Sequence, residues 1–144
     1  MTQTPHIPLS QDAALVVALA GTAMSFAHSA QDEAERWLRA LRLHGEVGAA
    51  LQGLGVGEAP LTSEPAETHA TPAHGPDILD EVTRRATEFA AGREADTVGT
   101  RDLLFGVFEV YGKLFDRVLY LRGTTREELL ERLAEEASPQ ASRE

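Results

Sequence analysis

Apolar residues fall along this chain in runs with helical spacing, not alternating spacing. From Ala13 through Val16, Val17, Ala20 and Met24 to Ala27 the run is almost continuous, and Ser10 stands before it as an N-cap with Asp12 in the first turn. This predicts a central helix over about 10–28, apolar on nearly every face. A second helix is predicted over 31–43, where Trp37, Leu38 and Leu41 share one side. A short third one over 47–54 stops at Gly55. Residues 57–76 then break the pattern, because Pro60, Pro65, Pro72 and Pro76 exclude a long helix and read as an extended linker.

The helical period resumes at Asp77. Ile78, Leu79, Val82, Ala86, Phe89 and Ala90 form one stripe that ends near Gly92. Thr100 is expected to cap a helix through Leu103, Leu104, Val107 and Phe108, and a further helix through Leu114, Val118, Leu119 and Leu121 stops at Gly123. Thr125 with Glu128 has capping-box spacing and opens a last helix through Leu129, Leu130 and Leu133. The fold class is therefore all-α.

The two stretches of helix run in parallel along the sequence. A shift of 66 residues places Val16 on Val82, Ala20 on Ala86, Trp37 on Leu103, Leu38 on Leu104, Ala40 on Gly106 and Leu41 on Val107; with two extra residues, Gly55 falls on Gly123. Shared apolar positions in one helix order are what an internal duplication predicts. Two pseudo-symmetric multi-helix units packed into one domain are expected, over 10–56 and 77–136, with a flexible arm over 1–9, the proline-rich linker over 57–76 and a frayed tail over 137–144. The cleft between two such units is a natural seat for a peptide.

Composition narrows the function classes. Hydrophobic residues are 42% of the chain but aromatics only 6%, which suits a core of Ala, Leu and Val in closely packed helices. The net charge of −10 argues against nucleic acid and anionic membrane and is compatible with a basic protein partner. There is no cysteine, which excludes disulfides and fits a cytoplasmic location. The one long apolar run is too short for a membrane span, and no Lys or Arg precedes it. His6, His28, His44, His69 and His74 form no metal-ligand spacing, and Ser10 and Ser25 have no evident base, so no metal, cofactor or enzymatic role is expected.

VGTRDLLFGVF, over 98–108, resembles the segment VGTEHLLLGLL of the Clp N-terminal (Clp repeat) domain of ClpA/ClpC-type AAA+ unfoldases. LFDRVLYLRG (114–123) and TREELLERL (125–133) are similar to the third and fourth helices of that repeat. In the first half, LSQDAALVVALAGTAMSFA (9–27) and VGAALQGLGV (47–56) fit the first and third helices, DEAER (32–36) stands where VGTEH is expected, and the linker replaces the fourth helix. The resemblance implies a stand-alone module that docks adaptors or substrates as adaptor, receptor or decoy in Clp-linked proteolysis. No G-x-x-x-x-G-K-[ST] phosphate loop occurs in the chain.

The resemblance also implies a site. In ClpC-like members the Glu of VGTEH in each repeat holds the guanidinium of phosphorylated arginine. Glu35 matches it in the first half and Arg101, of opposite sign, in the second; Thr100 is retained beside it, Ala34 replaces the first Thr, and Glu33 replaces Gly and would repel a phosphate. The expected ligand-binding residues are Glu35, Thr100, Arg101 and Asp102. Arg101 has a second reading as a solvated arginine paired with Asp102 or Glu94. Trp37 and Tyr111 are interface candidates, with core packing as the other role of Trp37. Two rivals stand beside the binding module: a self-associating helical scaffold, with a homodimer left open, and a helical DNA-binding regulator, which the acidic charge and the lack of a basic recognition helix disfavour.

Overall fold

The computed structural model describes residues 7–27, 29–56 and 77–137, and these form seven α-helices. They are α1 (Gln11–Met24), α2 (Ala30–Leu43), α3 (Gly45–Gly53), α4 (Ile78–Gly92), α5 (Thr100–Tyr111), α6 (Lys113–Leu121) and α7 (Arg126–Ala137). The fold is all-α. The expected linker over 57–76 and tail beyond 137 lie outside the described residues, as does the arm up to residue 6.

Local sequence explains where the helices begin. Ser10 accepts the Ala13 amide proton at 3.1 Å and Ser29 accepts that of Asp32 at 3.1 Å, each relieving an orphan donor of the first turn. Helix α5 starts differently from expectation: Gly99 is the N-cap, Thr100 is the first helical residue, and Asp102 reaches back to accept the Gly99 amide proton at 2.9 Å. The opening of α7 is split between two threonines. Thr125 Oγ1 accepts the Glu128 amide proton at 3.1 Å, while the Glu128 carboxylate accepts from the Thr124 hydroxyl at 2.9 Å.

Helix ends repeat one device. After α3, Gly55 sits at φ +84°, its NH donates to Gln52 O, and the Val56 NH donates to Leu51 O at 3.0 Å. After α6, Gly123 sits at φ +92°, its NH donates to Tyr120 O, and the Thr124 NH donates to Leu119 O at 3.0 Å. Both are Schellman motifs, in which the left-handed residue turns the chain back onto the last carbonyls. The same pair of bonds closes α4, but there Glu94 occupies the left-handed position at φ 58°.

Helices α2 and α5 form the inner pair. They pack on each other; α2 also packs on α1, α3 and α6, and α5 on α1, α3, α4 and α6. The core follows the shared positions: Val16 and Val82, Ala20 and Ala86, Met24 and Ala90, Trp37 and Leu103, Leu38 and Leu104, Leu41 and Val107 are all buried. At a spacing of 68, Val47 with Phe115, Ala50 with Val118 and Leu51 with Leu119 are buried too. Packing of α4 on α5 is tight enough that a Cβ on Gly106 would lie 2.8 Å from Val82 O, whereas Ala40 carries a Cβ at the matching place on α2. Helix α7 lies against α3, with Leu129 and Leu133 buried.

One expectation needs correcting at the N-terminal arm. Residues 7–9 do not hang free: the Val98 NH donates to Pro8 O at 2.8 Å, the Ser10 NH donates to Val98 O at 2.9 Å, and Leu9 forms an isolated parallel bridge with Val98. Ile7 and Leu9 pack on the core, and that burial holds the segment down. No described helix is long and apolar enough to cross a membrane.

Candidate functional site

Of the residues singled out from sequence, Glu35 lies in the N-terminal half of α2 and Thr100, Arg101 and Asp102 in the first turn of α5, while Trp37 is at the middle of α2 and Tyr111 at the end of α5. The N-terminal turns of α2 and α5 are positioned by the caps described above and by the mutual packing of the two helices. Each presents its candidate residue to the other half of the chain.

Glu35, on α2, is half-buried and faces Arg122 at the end of α6, with Oε1 3.5 Å from Nη2. Burial raises its carboxyl above the usual carboxylate range; the Arg122 guanidinium opposes that shift, while Asp32 adds to it. The ion pair is therefore a long, single contact around an incompletely compensated carboxylate. Arg101, on α5, reaches the opposite way. Its Nη2 lies 3.5 Å from Glu46 on α3 and 3.4 Å from the Leu133 carbonyl of α7. Of its two expected pairings, neither Asp102 nor Glu94 is the partner found; Glu46 is. Glu35 and Arg101 thus occupy matching turns, carry opposite charge, and each bridges the halves.

Thr100 and Asp102 are internal. Thr100 Oγ1 faces the Val47 amide at 3.5 Å, and Gly45, at φ +77°, has no room for a Cβ because Thr100 fills the space. The threonine therefore seats the start of α3 on α5. Asp102 is fully buried and takes a two-pronged contact from Arg93, at 2.9 Å and 2.6 Å, besides the Gly99 amide. A carboxylate so engaged orders the 93–102 turn, and Arg93 is the side of the pair that reaches solvent.

The interface expectation for Trp37 and Tyr111 is corrected by their burial. Trp37 is 0% exposed and Tyr111 5%, so neither ring is on the surface. Trp37 fills the centre of the core, with its indole beside the Tyr111 hydroxyl. The Tyr111 hydroxyl donates to Glu33 Oε1 at 3.1 Å. Burial, and then the Glu33 charge, raise the phenol pKa so that it stays neutral through the physiological range.

Glu33 was read from sequence as a charge facing the phosphate position. Its side chain is instead fully buried on the inner face of α2, one turn before Trp37. The spacing from Glu33 to Trp37 to Leu41 carried that signal, since it continues the buried stripe. Arg122 and Glu46 were missed because their roles arise only from contact between the halves. Four phenylalanines line the second half: Phe89, Phe105, Phe108 and Phe115 form a chain of ring contacts, with the Arg126 guanidinium 4.3 Å above Phe108.

No protein-family model matches the chain, and no curated protein matches it.

Proposed function

We propose that this chain is a protein-binding module made of two related helical units, the class of the Clp N-terminal domain. It binds an extended segment of a partner protein that runs between the N-terminal turns of α2 and α5, which lie at opposite ends of this antiparallel pair, as adaptor, receptor or decoy in Clp-linked proteolysis. The observation that carries the reading is the placement of Glu35 and Arg101 at matching turns of the inner helix pair, each loosely engaged across the halves. The shared buried positions and the paired Schellman ends of α3 and α6 support descent of the two units from one.

The chemistry points to a segment bearing an arginine and an acidic residue. A ligand guanidinium binding Glu35 in two-pronged fashion improves on the single 3.5 Å contact that Arg122 makes. Arg101 then takes the ligand carboxylate, with Glu46 as the contact it gives up. The net charge of −10 favours the approach of a basic partner.

Affinity capture from a native cell extract tests this, comparing wild type with Glu35→Ala and Arg101→Glu. Clp components or their substrates should be enriched by the wild type and depleted by both variants. Recovery of the same proteins by all three, or of none by the wild type, rejects the reading.

A further inference from the structure

Helices α1 and α4 present opposite outer faces. On α4, Asp80, Glu81, Arg84, Arg85 and Glu88 are all charged, and the last four form a ladder: Arg84 pairs with Glu81 at 2.7 Å and Glu88 at 2.9 Å, and Arg85 with Glu81 at 2.6 Å and Glu109 at 2.7 Å. Sixty-six residues earlier, those positions on α1 are Ala14, Leu15, Ala18, Leu19 and Thr22, all exposed. Leu15 is 41% exposed, Leu19 40% and Phe26, just beyond the helix, 63%. Asp12 is the one charged residue between positions 11 and 27. The Thr22 hydroxyl is engaged within the helix, donating to Ala18 O at 3.3 Å.

We infer that this strip is the contact face for a second copy of the chain, with two α1 helices packed antiparallel about Ala18 and Leu19. Two observations select that occupant. The strip is self-complementary: a row of small residues (Ala14, Ala18, Thr22) runs beside a row of large ones (Leu15, Leu19), and in an antiparallel pair each large row lies on the partner's small row. The chain also carries a net charge of −10, so two copies meet at least Coulomb cost where charge is absent. A 14-residue helix is roughly 21 Å long and covers about half the ~800 Å² per partner of a stable interface. The pair is therefore weak, reversible and dependent on concentration. This inference is independent of the peptide-binding reading, since α1's outer face takes no part in that site.

The absence of native cysteine allows a direct test in the full chain. Under mild oxidation Ala18→Cys should form a disulfide-linked dimer, while Arg84→Cys, its counterpart on α4, should not. In sedimentation, Leu19→Glu should weaken self-association about tenfold or more, and mixing it with Leu19→Lys should restore association between the two variants. Equal cross-linking at both cysteines, no cross-linking at either, or association unaffected by Leu19→Glu overturns the proposal. Because these positions are exposed, the variants keep the wild-type circular dichroism, which confirms that lost association is not lost folding.

Discussion

The half built from α1–α3 and the half built from α4–α7 agree where they face inward and differ where they face outward. Val16 and Val82, or Leu41 and Val107, meet the same demand for close packing, so their character is constrained by the core. The outer faces answer to solvent or to partners: α4 carries a ladder of ion pairs and α1 a bare apolar strip. Inner-helix charges diverge as well. Glu33 is buried under Tyr111 in the first half, and Asp102 is buried with Arg93 in the second, one residue past the turn of Arg101. Similarity of the halves thus informs on fold, and their differences inform on what each surface does.

The largest expected effect tests the shared inward positions. Trp37→Ala should cost about 3–5 kcal/mol and Leu103→Ala about 2–5 kcal/mol in denaturant unfolding, because both empty a fully buried site. An unchanged unfolding midpoint in Trp37→Ala would place that ring outside the core and break the comparison. Next, Gly106→Ala should destabilise by about 1–3 kcal/mol despite the better helix propensity of alanine, since the new methyl meets Val82 O. A stabilised variant would show that α4 and α5 have room to part.

Tyr111→Phe should cost about 1–3 kcal/mol, because Glu33 loses a donor inside the core. The pH dependence sharpens this. The folded phenol titrates above its ordinary 10.0, so its contribution to stability is complete below that pH and is lost as pH rises beyond it. Wild type should therefore lose more stability than Tyr111→Phe in alkaline melts; parallel alkaline limbs would refute the buried pairing.

Smaller effects separate the helix ends and the candidate site. Glu94→Gly should stabilise by about 1 kcal/mol, because glycine adopts the left-handed turn after α4 without steric cost, as Gly55 and Gly123 do elsewhere. Glu35→Gln should change stability at neutral pH by less than about 1 kcal/mol. Burial holds the folded carboxyl above 4.5, so the wild type is favoured below that pH and loses ground to the glutamine variant as pH rises through the folded value. A variant that instead gains on wild type as the solution is acidified would mean the Arg122 pairing outweighs desolvation.

Much of the fold was legible because helices are written locally. Ser10, Gly55, Gly123 and the 3.6-residue stripes each act within a few residues, and the seven predicted helices lie where those signals put them. The ends moved by a few residues: α1 ends at Met24, short of the expected 28, and Gly99 takes the cap assigned to Thr100. The site was legible only as a set of positions. Glu35 meets Arg122 across 87 residues and Tyr111 meets Glu33 across 78, so these partners are decided by tertiary packing and not by spacing. Thr100 and Asp102 were placed correctly on α5, yet their side chains serve the starts of α3 and α5.

The most direct test of the binding module is amide chemical-shift mapping. The isotope-labelled chain would be titrated with an unstructured peptide carrying one arginine and, about five residues away, one glutamate, a spacing that spans the two turns. Shifts should concentrate at residues 33–37 and 99–103, with Arg122 following as it leaves Glu35, and Glu35→Ala should abolish them. A titration that moves only the outer face of α1, or moves nothing at saturating peptide, would contradict a site that spans the N-terminal turns of α2 and α5.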